Sequence, residues 1–467
     1  MSVNAPLIWI VLPITLGGLL LFISSQRVLS LAGGGLALAL ALAAQFIPIE
    51  EALRFGALSF KIDSSLNVLG RVLAIDPPEG SLLALIYAGA ALWFFGSEAS
   101  NTAQRTVPLG FMIIGLMVAA IAVQPFIFAA LFIEMAILLA VPMLTSIYRP
   151  PGRGVVRFWI YQTLAMPFIL LAGWLLGGVE ASPGDIALAA QSASILGLGF
   201  TFLLAIFPLY NWIPMLMEES SPFTVGFLLW ILPVITIVFG AGFLDRYSLL
   251  RSSEQVLLAL RFAGLLMIVT GGIWAAFQRH LGRIMAYGSI AETGFSILAL
   301  SLDSRIGIPI LFLLIPARTL TLTIWALALT ILKERSDPLT FRESQGALRI
   351  SPFAGAGVLI ATLSAGAFTL LAGFPARFAL WDAVARVSAG SAAWMGVGIV
   401  GLLFSAFRSF AALSMAEAYT GWESRENLIQ KIMLGVGVIG LFILGLFPQT
   451  VQFFISDVPL MFEHLGR

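Results

Sequence analysis

The run FIFAALFIEMAILLAVPML, residues 126–144, decides the fold class of this chain. As a helix rising 1.5 Å per residue it covers roughly the ~30 Å hydrocarbon core of a bilayer. A membrane-spanning strand would alternate apolar and polar positions, and this run does not. It is therefore a transmembrane helix, and Glu134 is the one charge inside it. A carboxylate at the bilayer centre costs a few kcal/mol even on lenient scales, so its surroundings are where function is sought.

The rest of the chain has the same character. Of 467 residues, 60% are hydrophobic and 10% charged, and the mean hydropathy is +1.01. Soluble domains carry about a quarter charged residues. About fourteen apolar spans follow one another, from 6–24 to 429–449, which gives an all-α polytopic membrane protein. The stretch 49–78 is half polar and reads as extramembrane or interfacial. A net charge of +1 and the lack of a basic cluster suited to that role speak against nucleic acid. With no cysteine, thiolate metal sites, iron–sulfur ligation and thiol catalysis are excluded, and His280 and His464 are the only histidines. No cofactor is expected in this chain. The first span lacks a preceding basic region and reads as a retained helix.

Basic residues in the loops set the orientation. Arg27, Arg105, Arg149/Arg153/Arg157, Arg279/Arg283 and Lys333/Arg335/Arg342/Arg349 all follow odd-numbered spans. The positive-inside rule puts those loops in the cytoplasm of a bacterial plasma membrane and both termini outside, against Arg54, Lys61, Arg71, Arg246 and Arg251. Two spans are interrupted. Span seven, 189–216, carries Pro208 and Pro214. Span twelve, 353–382, carries Gly366, Gly373 and Pro375. Such breaks free backbone groups that lipid cannot satisfy, and in transporters they point to the ion path. The expected organisation is 1–107 for the first three helices and the interfacial segment, 108–243 and 254–412 for two inverted five-helix repeats, and 413–467 for the last helix and tail.

Four segments carry a resemblance. Leu131-Phe-Ile-Glu134 with Pro142-Met143 resembles a fifth-helix motif. Phe207-Pro208-Leu-Tyr-Asn-Trp212-Ile-Pro214, leading to Ser221-Pro222-Phe-Thr-Val225, resembles a proline-rich break and the start of an eighth helix. Gln278-Arg279-His280-Leu-Gly-Arg283 with Ala286-Tyr287-Gly-Ser289-Ile290-Ala291 resembles a basic loop and the "LLAYSSIA" segment. Ser364-Ala-Gly-Ala with Ala372-Gly373-Phe374 and Arg377-Phe378 resembles a twelfth-helix break. In this order they resemble the antiporter-like membrane subunits of respiratory complex I, a family shared with Mrp-type antiporters and membrane-bound hydrogenases. The resemblance implies fourteen helices in two inverted repeats, with broken helices seven and twelve. It also implies partner membrane subunits and proton translocation driven by chemistry elsewhere.

The departures are at the proton carriers. The lysine that the family places in its seventh helix falls on Leu203, and an eighth-helix lysine falls near Val234. Arg377 matches the twelfth-helix lysine, Arg318 a histidine of helix eleven, and Glu292 the histidine of a "SIAH" segment. A buried lysine gives up its proton readily, whereas arginine keeps it. The candidate path therefore consists of Glu134, Glu292, Arg318, Arg377 and Asp382. Glu134 reads either as the charge of a conduit or as a protonated acid in a packed core. For Glu292 the alternatives are a titrating group and a salt bridge to Arg318; for Arg377 and Asp382, a half-channel and a local ion pair. Glu218 and Glu219 read as a solvated loop, His280 as a surface residue, and Gln162 as an interhelical hydrogen bonder. The expected function is a membrane subunit of an ion-translocating assembly, such as a proton-translocating NADH:quinone oxidoreductase, without a catalytic centre of its own. The alternatives are a stand-alone cation/proton antiporter and a structural, non-pumping paralogue.

Overall fold

Backbone groups in lipid must be satisfied within their own segment, so apolar runs of this length become helices. The computed structural model describes residues 2–55, 58–68, 70–145, 150–181, 186–415 and 424–465. A short strand, Ser2–Asn4 (β1), leads through a π-helical turn, Leu7–Val11, into Leu12–Leu20 (α1). Gln26–Phe46 (α2) follows. The half-polar stretch then forms strands Ala52–Phe55 (β2), Leu58–Asp63 (β3), Ser65–Val68 (β4) and Arg71–Ala74 (β5). They make two small sheets: β3 pairs parallel with β1 and antiparallel with β2, while β5 lies between β4 and Val123–Gln124 (β6). Neither sheet closes on itself.

The first half continues with Glu79–Ala99 (α3), Ala103–Ala122 (α4), Ala129–Leu144 (α5), Arg153–Ala181 (α6), Ile186–Leu203 (α7), Trp212–Glu219 (α8) and Pro222–Arg246 (α9). A short turn, Ser248–Arg251 (α10), precedes Glu254–Phe277 (α11), Leu281–Leu300 (α12) and Ser304–Lys333 (α13). Then come Ala347–Ile350 (α14), Pro352–Ala365 (α15), Gly373–Val387 (α16), Ala389–Ser414 (α17), Leu428–Leu446 (α18) and Gln449–Ile455 (α19). Among the described residues, ten helices are long and apolar enough to cross a membrane. Leu7–Leu20, Ala187–Leu203 and Pro352–Ala365 are shorter apolar helices.

The axis of the molecule is α9 with α13. In each, 89% of the most apolar window is buried, against 22% in α18 at the periphery. This explains why both read as apolar all round: their neighbours are other helices rather than lipid. Trp93 of α3 packs against Phe223, Phe227 and Trp230 of α9, with ring centroids 4.9–6.2 Å apart. On the other side α11 meets α17 backbone to backbone: a Cβ on Gly272 would overlap the carbonyl of Gly398. Only glycine allows that approach, the small-residue packing that membranes favour.

Both interrupted spans are broken as expected, and they break alike. After α7, Ala205 N–H donates to the Phe202 carbonyl and Ile206 N–H to that of Thr201. After α15, Ala367 N–H donates to Ser364 and Phe368 N–H to Leu363. This is the Schellman pattern, with a left-handed residue at its pivot. That residue is alanine in both, at φ 50° in Ala205 and 55° in Ala367. Two sequence assignments need correcting: Pro214 and Pro375 lie in the first turns of α8 and α16 rather than in the breaks. Helices tolerate proline there because the N–H it lacks has no intrahelical partner. Arg149 lies outside the described residues.

Candidate functional site

In the second half, α12, α13, α15 and α16 bring the predicted charges together. The Glu292 carboxylate of α12 pairs with Arg377 Nη2 of α16, with side chains 2% and 1% exposed. The other arm of Arg377 donates to the Ser364 carbonyl at the end of α15, and its guanidinium lies 5.1 Å from the Phe295 ring centroid. Ser364 Oγ in turn accepts from Gly373 N–H at 3.2 Å and lies 2.9 Å from Thr321 Oγ1. A Cβ at position 373 would overlap both Arg377 and that carbonyl, so the break requires glycine for the guanidinium to enter. Arg377 thus neutralises a buried carboxylate and caps a helix end that lipid could not satisfy.

Arg318 of α13 does similar work one layer away. Pro233 has no N–H, so the Leu229 carbonyl four residues earlier in α9 loses its intrahelical donor. Arg318 Nη2 fills that role at 2.7 Å and donates to Thr293 Oγ1 at 3.1 Å. The salt-bridge alternative for Glu292 is therefore corrected in partner: the carboxylate takes Arg377, while Arg318 holds a carbonyl and a hydroxyl. The carbonyl freed by Pro233 was the sequence signal for this contact. Arg318 Nε and Nη1 and Arg377 Nε are buried without a partner in the described structure.

The first half is sparser. Glu134 Oε1 on α5 accepts from Thr163 Oγ1 of α6 at 2.8 Å, and its buried Oε2 has no partner. Leu203, on the position expected to answer it, is buried at the end of α7. Gln162 supplies the polarity there, as expected: Nε2 donates to the Leu203 carbonyl at 3.1 Å and to that of Phe202 at 3.3 Å. Between Gln162 and Thr293 lies a cavity of about 20 Å³, lined also by Leu203, Leu229 and Ser289. That is room for about one water. The structure thus offers two polar clusters with a narrow, largely apolar gap between them. Val234 is buried and brings no charge to it.

Three further assignments are corrected. Asp382 does not join Arg377; it pairs with Arg386 one turn on, at 2.9 Å, with both side chains at least half exposed. Five residues turn a helix about 500°, so 377 and 382 do not share a face. Glu218 and Glu219 end α8 rather than lying in a loop, and Glu219 is exposed as expected. Glu218 pairs with Arg283 across the two halves, and Glu219 accepts from Gly154 N–H at 2.7 Å. Lys333 donates to the carbonyls of Glu218 and Ser220, each at 2.9 Å. His280 is half-buried, and its Nδ1 accepts the Arg283 N–H as the cap of α12. Burial depresses its pKa below the usual 6.5. Among the described residues no cluster of three or more acidic or histidine side chains suits a metal ion.

Residues 186–405, which hold this cluster and both broken helices, match the family described as NADH:quinone oxidoreductase/Mrp antiporter, TM. Over that stretch, a little under half of its length, the chain is similar to this family. Subunit 14 of the NADH-quinone oxidoreductase of Thermus thermophilus is 27% identical over 315 residues, 64% of this chain and 69% of that one. Subunit N from Rhodococcus opacus is 25% identical over 311 residues, 63% of this chain and 54% of its own length. In solved structures the fold recurs in respiratory complex I from Thermus thermophilus, with a TM-score of 0.77 and 21% identity over 99% of this chain and 100% of that one. With its apolar helices and this shared fold, the chain is an integral membrane protein with two broken helices.

Proposed function

We propose that this chain is a membrane subunit of a complex-I-like, ion-translocating assembly, bound to other membrane subunits. Its contribution is a path through Glu134, the Gln162–Thr293 gap and the Arg318–Glu292–Arg377 cluster. The observation that carries this reading is the Glu292–Arg377 pair seated in the second helix break, inside a family frame that otherwise matches. In this reading the arginines hold fixed charge and the carboxylates and ordered water carry protons, because arginine does not release its proton. The catalytic step belongs to the assembly, for which NADH:quinone oxidoreduction is the leading candidate given the named relatives. Both termini then face the outer side of a bacterial plasma membrane.

Copurification tests the assembly. A stable chain without partner subunits in mild detergent speaks for a stand-alone antiporter, which proteoliposomes would reveal as cation-dependent collapse of a pH gradient. Within the assembly, Glu134→Gln and Glu292→Gln are each expected to lower proton translocation per turnover. Full coupling in both variants would instead favour a structural, non-pumping subunit.

A further inference from the structure

Helices α7, α9, α11 and α12 enclose a slot of about 340 Å³. Its walls are apolar: Leu196 and Phe200 on one side, Leu260 and Ala263 on the other, with Phe243 at the back and Leu204 at the floor. The lining runs from Leu244 to Thr236 along α9 and from Ala193 to Leu204 along α7. At 1.5 Å per residue that is about 12 to 16 Å deep, half of the ~30 Å hydrocarbon core. At its shallow end, Leu244 and Leu300 are shared with a second cavity of about 230 Å³. That second cavity is polar in part, lined by Arg251, Asp303 and Ser304.

The charges at this mouth favour an anion. Arg251 spends one arm on the Asp245 carbonyl, and Arg261, outside the cavity lining, donates one N–H to the Ser301 carbonyl at 3.4 Å. Both keep further donors. Asp303, the acidic group of the mouth, turns back to accept the Arg305 N–H at 3.0 Å as the cap of α13. An apolar shaft one leaflet deep beneath an arginine-bearing mouth is complementary to one kind of molecule. We propose that the slot holds one phospholipid, with an acyl chain along α9 and its phosphate at Arg251.

The position gives such a lipid a role. Leu204 lines both the slot and the small cavity beside Gln162. One side chain therefore separates the acyl chain from the polar gap, and the chain closes the outer wall of the helix-seven break.

Gly197 provides a clean test, because it lines the slot and a Cβ there meets nothing within 4 Å. Gly197→Trp starts from that open space and projects a large side chain into the shaft. The assembly carrying this chain would be purified in mild detergent, supplied with phosphatidylglycerol, and read by native mass spectrometry. One tightly retained phosphatidylglycerol per chain is expected, lost roughly tenfold in Gly197→Trp and several-fold in Arg251→Gln. Retention unchanged by Gly197→Trp overturns the site. Retention lost in Gly197→Trp but unaffected by Arg251→Gln overturns the phosphate contact and, with it, the phospholipid. A helix of another subunit seated in the slot would leave no lipid there in the assembled complex, which likewise overturns the proposal.

Discussion

Arg377 and Glu292 illustrate what a buried ion pair does in a membrane subunit. Each ion alone would be expensive to desolvate, and the attraction between them repays that only when the remaining donors are also used. Here one arm of Arg377 meets the carboxylate and the other caps a carbonyl. Arg377→Met should therefore cost about 3–5 kcal/mol by leaving Glu292 unpaired, and Glu292→Gln should relieve much of that loss in the double variant. Denaturant titration of the purified chain followed by circular dichroism checks both. A single-site loss below about 1 kcal/mol, with no recovery in the double variant, would rule out the pair as an energetic unit. Glu134 is the contrasting case. Its accepting Oε1 is retained as an amide oxygen in Glu134→Gln, and its Oε2 has no partner to lose. That substitution should change stability by less than about 1 kcal/mol. Loss of coupling in Glu134→Gln would then reflect function rather than folding. Glu134 and Glu292 were legible in the sequence because charge in an apolar run is conspicuous. Their pairings were not, since Thr163 is an ordinary helix residue until the fold brings it to Glu134, and Arg377 lies 85 positions from Glu292.

At the scale of elements, the two breaks repeat one solution. Proline and glycine marked both in the sequence, but the pivots of the two Schellman turns are Ala205 and Ala367, which no composition rule singles out. A left-handed alanine is strained by about 1 kcal/mol relative to glycine, through contact of Cβ with the next carbonyl. Ala205→Gly and Ala367→Gly should each raise stability by about 1 kcal/mol without moving the break. Thermal unfolding in detergent reads this directly, and a loss of stability in both would show that the methyl groups are held by packing. The small sheets near the N-terminus were hidden for a different reason. Strands of two to six residues pair across long sequence separations, as β5 does with β6. No local pattern in 49–78 announces its partner at Val123 and Gln124. The pairing of Asp382 was misjudged because five residues were read as proximity, whereas helix geometry joins i to i+4.

Over the whole molecule, the two halves are latched at one end by charge. Glu218 at the end of α8 meets Arg283 on α12, and Lys333 at the end of α13 holds the Glu218 and Ser220 carbonyls. His280 sits beside this latch, facing Glu218, Arg283, Lys333 and Asp337. Burial is the main cause of its lowered pKa, opposed by the attraction of Glu218 and Asp337 and aided by Arg283 and Lys333. Folding therefore favours the neutral ring, whose Nδ1 must accept the Arg283 N–H. A depressed folded value means that the unfolded chain binds more protons below the ordinary value of 6.5. The stabilisation is complete above 6.5 and is lost as pH falls through the lower folded value. His280→Asn keeps an acceptor at the cap but cannot titrate in this range. The stability advantage of the natural histidine over this variant should accordingly shrink between about pH 8 and about pH 5. Melting temperatures of the two proteins across that interval decide the matter, and a constant difference would mean that the imidazole does not titrate with folding. Because the latch ties α8, directly after the first break, to α12, which carries Glu292, its loosening should also be felt at the ion cluster. Proton exchange at the amides of α8 and of 366–372 is expected to rise together in acid, and a rise in α8 alone would uncouple the two halves.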